Sequence, residues 1–325
     1  MRRTPDFWQA NGWLAHLLEP LGLLYGAATA WRLACERPWR APVPVVCVGN
    51  LVAGGAGKTP VALAIARRFN NLGVFPVFVA RGYGGKARGP LQVILERDGA
   101  ERVGDEVLLL AAQAPTIIAY CRADGARLAA SIGAQVIVMD DGHQHPTLHQ
   151  DVTLVVVDGG YAFGNSCLLP AGPLREPVER GLARASALVV VGEDEYGIAT
   201  RWLSCGLPVL QTHLVPGPEA AALSGQRVVA FAGIGRPEKF FATLQAIGAV
   251  VIACHPFADH KPYTALEIQL ILEEASALRA IPVTTAKDAV RLTPAQRQQV
   301  VVFTITIAWQ NTETLDSILT AGIRK

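Results

Sequence analysis

Charge is scarce in this sequence. Charged residues make up 17% of its 325 positions, against about 25% in an ordinary soluble domain. Apolar residues reach 51%, so there is ample core material and long disorder is not expected. A net charge of only +2 lacks the basic surplus that a nucleic-acid groove shows, and no nucleic-acid partner is expected. Lysine is rarer still: six of the 29 basic residues are Lys. An arginine-rich set suits bidentate contacts to phosphate, and it equally reflects a GC-rich coding sequence. The six cysteines (Cys35, Cys47, Cys121, Cys167, Cys205, Cys254) form no C-x-x-C pair and no zinc spacing. Most lie in apolar runs, where a thiol behaves as a small hydrophobe, which points to a reducing compartment. No secretory pattern follows Met1-Arg2-Arg3. The apolar stretch 20–31 falls far short of the roughly 20 residues that span a bilayer. A cytosolic protein, or one on the cytosolic face of a membrane, is expected, and nothing points to an obligate protein partner.

What the sequence does have is organised in three parts: an N-terminal helix over 1–40, a core over 41–215 and a C-terminal lobe over 216–325. Residues 6–36 read as helix with a break or kink at Pro20. Four of the six Trp fall here (Trp8, Trp13, Trp31, Trp39), and Arg2, Arg3, Arg32, Arg37 and Arg40 flank the apolar part. That pattern suits a helix lying at a membrane–water interface, and also one packed on its own domain. From Pro44, short β-branched runs at 45–48, 74–80, 116–120, 136–139, 152–157 and 188–191 alternate with helical stretches at 58–71, 103–113 and 124–132. Continuous apolar strands joined by helices imply a parallel sheet covered on both faces. After Pro216-Gly217-Pro218 a second α/β unit begins. Its strands are expected at 228–232, 250–253, 282–285 and 300–306, and its helices at 237–247, 264–279 and 312–322.

The first strand runs into Val52-Ala53-Gly54-Gly55-Ala56-Gly57-Lys58-Thr59, and a helix follows. Strand, glycine loop and helix together make a phosphate-binding P-loop, in which backbone N–H groups and the helix dipole converge on an anion. Lys58 would reach the β- and γ-phosphates of ATP, and the Thr59 hydroxyl would take Mg²⁺. Val52 stands where the first Gly of the usual G-x-x-x-x-G-K-[ST] pattern belongs. A second apolar strand ends in Asp140-Asp141-Gly142-His143-Gln144-His145, placing carboxylates where a P-loop protein holds Mg²⁺. His143, His145 and His149 could suggest zinc, but no Cys or carboxylate cluster completes such a site. Arg81-Gly82-Tyr83-Gly84-Gly85 reads as a substrate loop or a plain glycine turn. Gly104-Asp105-Glu106 opens a helix, where acids also serve its dipole. Asp259-His260-Lys261 sits in a loop that could face the cleft between lobes.

In this order the segments resemble the tetraacyldisaccharide 4′-kinase family of lipid A biosynthesis. G-N-L-x-x-G-G-x-G-K-T-P matches 49–60, R-G-Y-G matches 81–84 and G-D-E matches 104–106. D-D-G-x-Q-H matches 140–145, P-x-G-P-L-R-E matches 170–176 and A-F-A-G-I-G-x-P matches 230–237. D-H matches Asp259-His260, and K-D-A-V matches 287–290. His143 departs from the family, which more often has an apolar or aromatic residue there. The resemblance implies transfer of the ATP γ-phosphate to the 4′-hydroxyl of an acylated glucosamine disaccharide 1-phosphate, giving lipid IVA. It implies peripheral association with the inner membrane's cytosolic face, a base role for Asp105 paired with His260, and charge stabilisation by Lys58, Mg²⁺ and Arg175. A nucleotide hydrolase of the metal-insertion or protein-localisation type and a non-catalytic membrane scaffold are the competing readings.

Overall fold

A computed structural model describes residues 5–323. In chain order its strands are β1 Val45–Gly49, β2 Pro76–Ala80, β3 Leu91–Gln92, β4 Thr116–Ile118, β5 Val136–Asp140, β6 Val152–Asp158, β7 Ala187–Val191, β8 Val209–Pro216, β9 Arg227–Ala232, β10 Val250–Pro256, β11 Ile281–Thr285, β12 Val301–Phe303 and β13 Ile305–Trp309. Nine of them form one sheet in the order β13-β8-β7-β6-β1-β5-β2-β4-β3, and four form a second in the order β10-β9-β11-β12. In the large sheet only the edge strands β3 and β13 run antiparallel to their neighbours. The helices that matter for the site are α1 Trp13–Cys35, α2 Lys58–Asn71, α3 Ala100–Val103, α4 Asp105–Ala111 and α5 Arg122–Ser131.

β1 lies at the centre, paired in parallel with β5 on one side and β6 on the other. Its five residues are all buried because both sheet faces are covered. Val46 and Val48 pack with Ile65 and Phe69 of α2 and with Leu315 and Leu319 of the helix Thr312–Ile323. Val45 and Cys47 face Ala126 and Ala129 of α5. In the smaller sheet the same alternation puts Val228, Ala230 and Ala232 against Phe240, Phe241 and Leu244, and Val229 and Phe231 against Ile268 and Ile271. The expected fold, a P-loop-like parallel sheet with helices on both faces plus a smaller α/β lobe, is what the chain adopts.

Three expectations change in the detail. The run 300–306 is not one strand of the C-terminal lobe. β12 ends at Phe303, and β13 returns to the large sheet to pair with β8, Ile305 opposite Pro216. The helix Thr312–Ile323 follows it there, so 216–325 is not a single lobe. Thr304 turns the chain by donating its backbone N–H and hydroxyl to Glu219. Next, the helix expected at 103–113 splits into α3 and α4 at Gly104, whose φ is +92°. A Cβ there would come within 2.3 Å of the Tyr83 carbonyl oxygen, so only glycine allows the break that starts α4 at Asp105.

The last change is at the N-terminus, where a 3-10 turn, Asp6–Gln9, precedes α1. α1 itself runs unbroken through Pro20, which leaves the His16 carbonyl without its helical donor. α1 docks through small residues, Ala15, Gly22, Gly26 and Thr29, with Gly22 and Gly26 against Leu168. Its opposite face presents Trp13, Leu17, Leu21, Leu24 and Trp31 to solvent, each more than half exposed. The four N-terminal Trp therefore divide. Trp8 donates to the Pro170 carbonyl, Trp39 packs under Arg127 at 4.5 Å, and Trp13 and Trp31 stay free. Arg2 and Arg3 lie outside the described residues. Among those described, no helix is long and apolar enough to cross a membrane.

Candidate active site

The loop between β1 and α2 is held from below. Buried Asn50 donates to the Val52 carbonyl at 2.8 Å. Val52 bridges to Leu174, and Ala53 donates its N–H to the Pro173 carbonyl at 2.7 Å. Val52 and Ala53 are thus anchored to the segment around Arg175. Gly54 and Gly55 face open space, Ala56 is buried in the core, and Gly57 caps α2 in the left-handed conformation, φ +84°. The result is a turn of backbone at a helix N-terminus, with Lys58 and Thr59 on the first turn of α2.

β5 delivers the two aspartates beside that turn. The Asp141 carboxylate sits between two cations, 2.9 Å from Arg175 and 3.7 Å from Lys58. Burial pushes its pKa up, but Lys58 and Arg175 outweigh this and hold it at about 2. Asp140 is 6% exposed, its Oδ2 lies 3.3 Å from the Thr59 hydroxyl, and its buried Oδ1 has no partner. Burial first, then the charge of Glu106, raise its pKa to about 7 against the pull of Lys58. A buried carboxylate oxygen lacking a donor, beside a hydroxyl and a second carboxylate, fits a hard cation that keeps waters and shares its remaining ligands with phosphate. No larger cage exists: among the described residues no three His, Cys, Asp or Glu side chains gather as a metal site. His143 lies behind this edge, buried against the Gly181 carbonyl, and burial lowers its pKa to about 4. Its Nε2 also lies 3.8 Å from the buried Glu176 carboxylate.

Across the cleft stands a second constellation. Asp105 is 4% exposed. It meets His260 Nδ1 at 2.9 and 3.0 Å, accepts from Arg291 Nε at 3.1 Å and from the Glu106 N–H at 2.9 Å, and lies 2.8 Å from Arg291 Nη2 as an ion pair. Burial raises its pKa, and His260, Lys287 and Arg291 more than reverse that, holding it at about 2. His260 adopts φ +59°, the left-handed region that ordinary side chains rarely take, and its Nε2 lies 3.3 Å from Lys287 Nζ. Lys287 pairs with Glu106 at 3.2 Å and Asp259 at 3.4 Å. Burial depresses its pKa, but Glu106, Asp105 and Asp259 outweigh this and leave it raised. Glu106 therefore joins the halves: it pairs with Lys287 and bears electrostatically on Asp140.

Of the residues singled out in the sequence, the structure brings Asp105 and His260 together and sets Lys58, Thr59 and Arg175 against Asp140 and Asp141. Reasoning from the sequence missed Arg291, which also touches the Gly233 carbonyl and Asp288. It also gave no role to Lys287 or Glu106, although both fall within quoted motifs. A lone Arg past a short helix carries no sequence signal of its own; only the fold brings it to Asp105.

Comparison with known proteins identifies the family. The family model described as tetraacyldisaccharide-1-P 4'-kinase matches residues 14–324. A protein named tetraacyldisaccharide 4'-kinase from Rhodospirillum rubrum is 55% identical over 98% of this chain and 97% of its own. One of the same name from Rhodospirillum centenum is 54% identical over 98% and 96%. A crystal structure of LpxK from Aquifex aeolicus in complex with ATP superposes with a TM-score of 0.75 at 25% identity, covering 95% of this chain and 99% of that one. The chain belongs to the tetraacyldisaccharide-1-P 4'-kinase family.

Proposed function

We propose that this kinase transfers the γ-phosphate of ATP to the 4′-hydroxyl of a tetraacylated glucosamine disaccharide 1-phosphate, forming lipid IVA, while resting on the cytosolic face of the inner membrane. The observation that carries the reading is the linkage of Lys58, Thr59, Asp140 and Asp141 to Asp105 and His260 through the Glu106–Lys287 pair. Backbone N–H groups of the glycine turn and the Lys58 ammonium hold the phosphate chain, and Arg175 bears on the transferring group. Thr59, Asp140 and Asp141 would hold Mg²⁺, which supplies charge neutralisation on the phosphates.

The 4′-oxygen attacks the γ-phosphorus as the bond to the β,γ-bridging oxygen breaks, and ADP leaves with that electron pair. The hydroxyl proton passes to the Asp105–His260 pair. Asp105 is the acceptor of that proton, and His260, with Nδ1 at 2.9 Å from its carboxylate, is the partner that orients it. Lys287, 3.3 Å from His260 Nε2, steadies the ring from its far side. The apolar stripe on α1 supports the membrane reading, because Trp and Leu on an exposed face suit the interface between headgroups and acyl chains.

The test is to incubate the protein with ATP and the acylated disaccharide and to record the mass of the lipid product. A gain of one phosphate on the distal glucosamine is expected. ADP release independent of the disaccharide, with the lipid unchanged, would turn the assignment toward a nucleotide hydrolase.

A further inference from the structure

The connection between β6 and β7 carries Arg175, and its two flanks are held differently. After Arg175, buried Glu176 takes both guanidinium arms of Arg184 at 2.9 Å and the Gln144 amide at 3.0 Å. Before it, residues 165–174 fold back on themselves. Leu174 donates to the Cys167 carbonyl at 3.0 Å, and Leu169 donates to the Leu174 carbonyl at 2.8 Å. That fold is closed from the N-terminal segment. Asn165, buried at 8% exposure, accepts from the Cys167 N–H at 3.1 Å and donates to the Ala171 carbonyl at 3.1 Å and the Phe7 carbonyl at 3.4 Å. Its own N–H donates to the Trp8 carbonyl at 2.8 Å, and the Trp8 indole returns a bond to the Pro170 carbonyl at 3.1 Å. A Cβ on Gly172 would lie 2.1 Å from Asn165 Oδ1, so the amide fills its seat.

The Arg175 side chain does not fix its own place. Its ion-pair partner, Asp141, also faces Lys58 and would share Mg²⁺ once ATP is bound. The backbone on either side therefore sets where the guanidinium stands. The phosphate loop has support of its own, because Asn50 holds the Val52 carbonyl. Slack in 165–174 is thus felt first at Arg175.

Resting on the kinase reading above, we propose that Trp8 and Asn165 are positioning residues for Arg175: they seat the N-terminal turn on 165–174 and so hold the guanidinium at the transferring phosphate. α1 follows that turn and rests Gly22 and Gly26 on Leu168, which bridges to Leu174. The segment that faces the membrane is in this way a structural part of the phosphoryl-transfer site.

The experiment measures transfer of labelled γ-phosphate to tetraacyldisaccharide 1-phosphate in mixed micelles. Asn165→Ala and Trp8→Phe, which keeps an aromatic ring but loses the indole donor, are each made in the parent and in Arg175→Ala, with melting curves for all. In the parent, kcat should fall by about tenfold to a hundredfold for Asn165→Ala and by about two- to tenfold for Trp8→Phe. KM for the acceptor and flotation with vesicles should hold steady. In Arg175→Ala the same substitutions should cost under about twofold, since the group they position is gone. Equal losses on both backgrounds, a parent-like kcat, or a loss confined to acceptor KM would overturn the proposal and leave the kinase reading intact. Failure of both variants to fold would overturn it too, by making the clamp a folding element; if only Asn165→Ala fails, Trp8→Phe decides alone. No transfer by the unmodified protein would overturn both readings.

Discussion

Asp105 is an acid made stronger by its neighbours, and the sign of that effect can be measured. Its carboxylate sits at about 2 in the folded protein against an ordinary value near 3.8, a difference of roughly 2 kcal/mol. A group with a depressed pKa contributes stability above its unfolded value and loses it as pH falls through the folded one. Asp105→Asn should therefore destabilise the protein at pH 6, and the gap to the parent should close between about pH 4 and pH 2. Denaturant unfolding at pH 6 and pH 3 checks this, and a constant gap would mean that Asp105 is not held ionised. Arg291→Ala removes a buried partner from that carboxylate. It should raise the pH at which the acid limb of kcat/KM falls, where a merely structural residue would lower activity without moving the profile. Lys58→Ala acts at the opposite wall. Turnover should drop by orders of magnitude, because charge stabilisation carries most of phosphoryl transfer, while the melting temperature stays close to the parent. Near-parent turnover in that folded variant would sink the phosphate-loop assignment. Lys58 and Thr59 are legible in the sequence because their determinants are local, a strand, a glycine turn and a helix in register. Arg291 is not, since its partner lies 186 positions away.

At the scale of elements, α1 is a helix with two apolar faces of different size. Small residues seat it on Leu168, and large ones are left to solvent. Its hold on a vesicle should depend on the large ones, so Trp13→Ser with Trp31→Ser should weaken flotation with vesicles by about tenfold or more and leave the melting temperature unchanged. An undiminished flotation would rule out α1 as the attachment. Gly26→Leu works from the other side, because even a Cβ at that position falls 2.6 Å from Leu168 Cδ1. The Trp and Arg clustering is legible in the sequence, but not the division of labour among the Trp, which depends on segments 165–170 and 127 arriving from elsewhere. The strands of the core are legible for the reason that they are buried on both faces. β8 is not, because Gln211 and His213 interrupt its apolar run and it needs β13 to complete its pairing. The helix 103–113 reads as continuous, since the conflict of Gly104 with the Tyr83 carbonyl exists only in three dimensions.

At the scale of the whole molecule, the smaller lobe is an insertion. The chain leaves the large sheet at Pro216 and re-enters it at Ile305, and these two residues are register partners. A chain in which a short glycine link replaces 217–304 should fold and bind ATP, and it should transfer no phosphate, having lost His260, Lys287 and Arg291. Equilibrium dialysis with ATP and a melting curve check this. A chain that cannot fold would show that the large lobe depends on its insert. The return of the C-terminal segment is the part of the architecture least legible in the sequence, because 300–306 is one apolar run and only the Thr304–Glu219 contact cuts it. That return also bears on synthesis. β13 supplies the pairing edge of β8, and Leu315 and Leu319 cap the core against β1 and α2. The large lobe therefore stays unfinished until residues 305–323 have left the ribosome, whereas the insert is contiguous and complete earlier. On the ribosome the later-numbered lobe should become protease-resistant first, and the phosphate site, encoded near the start, should be the last part of the enzyme to form.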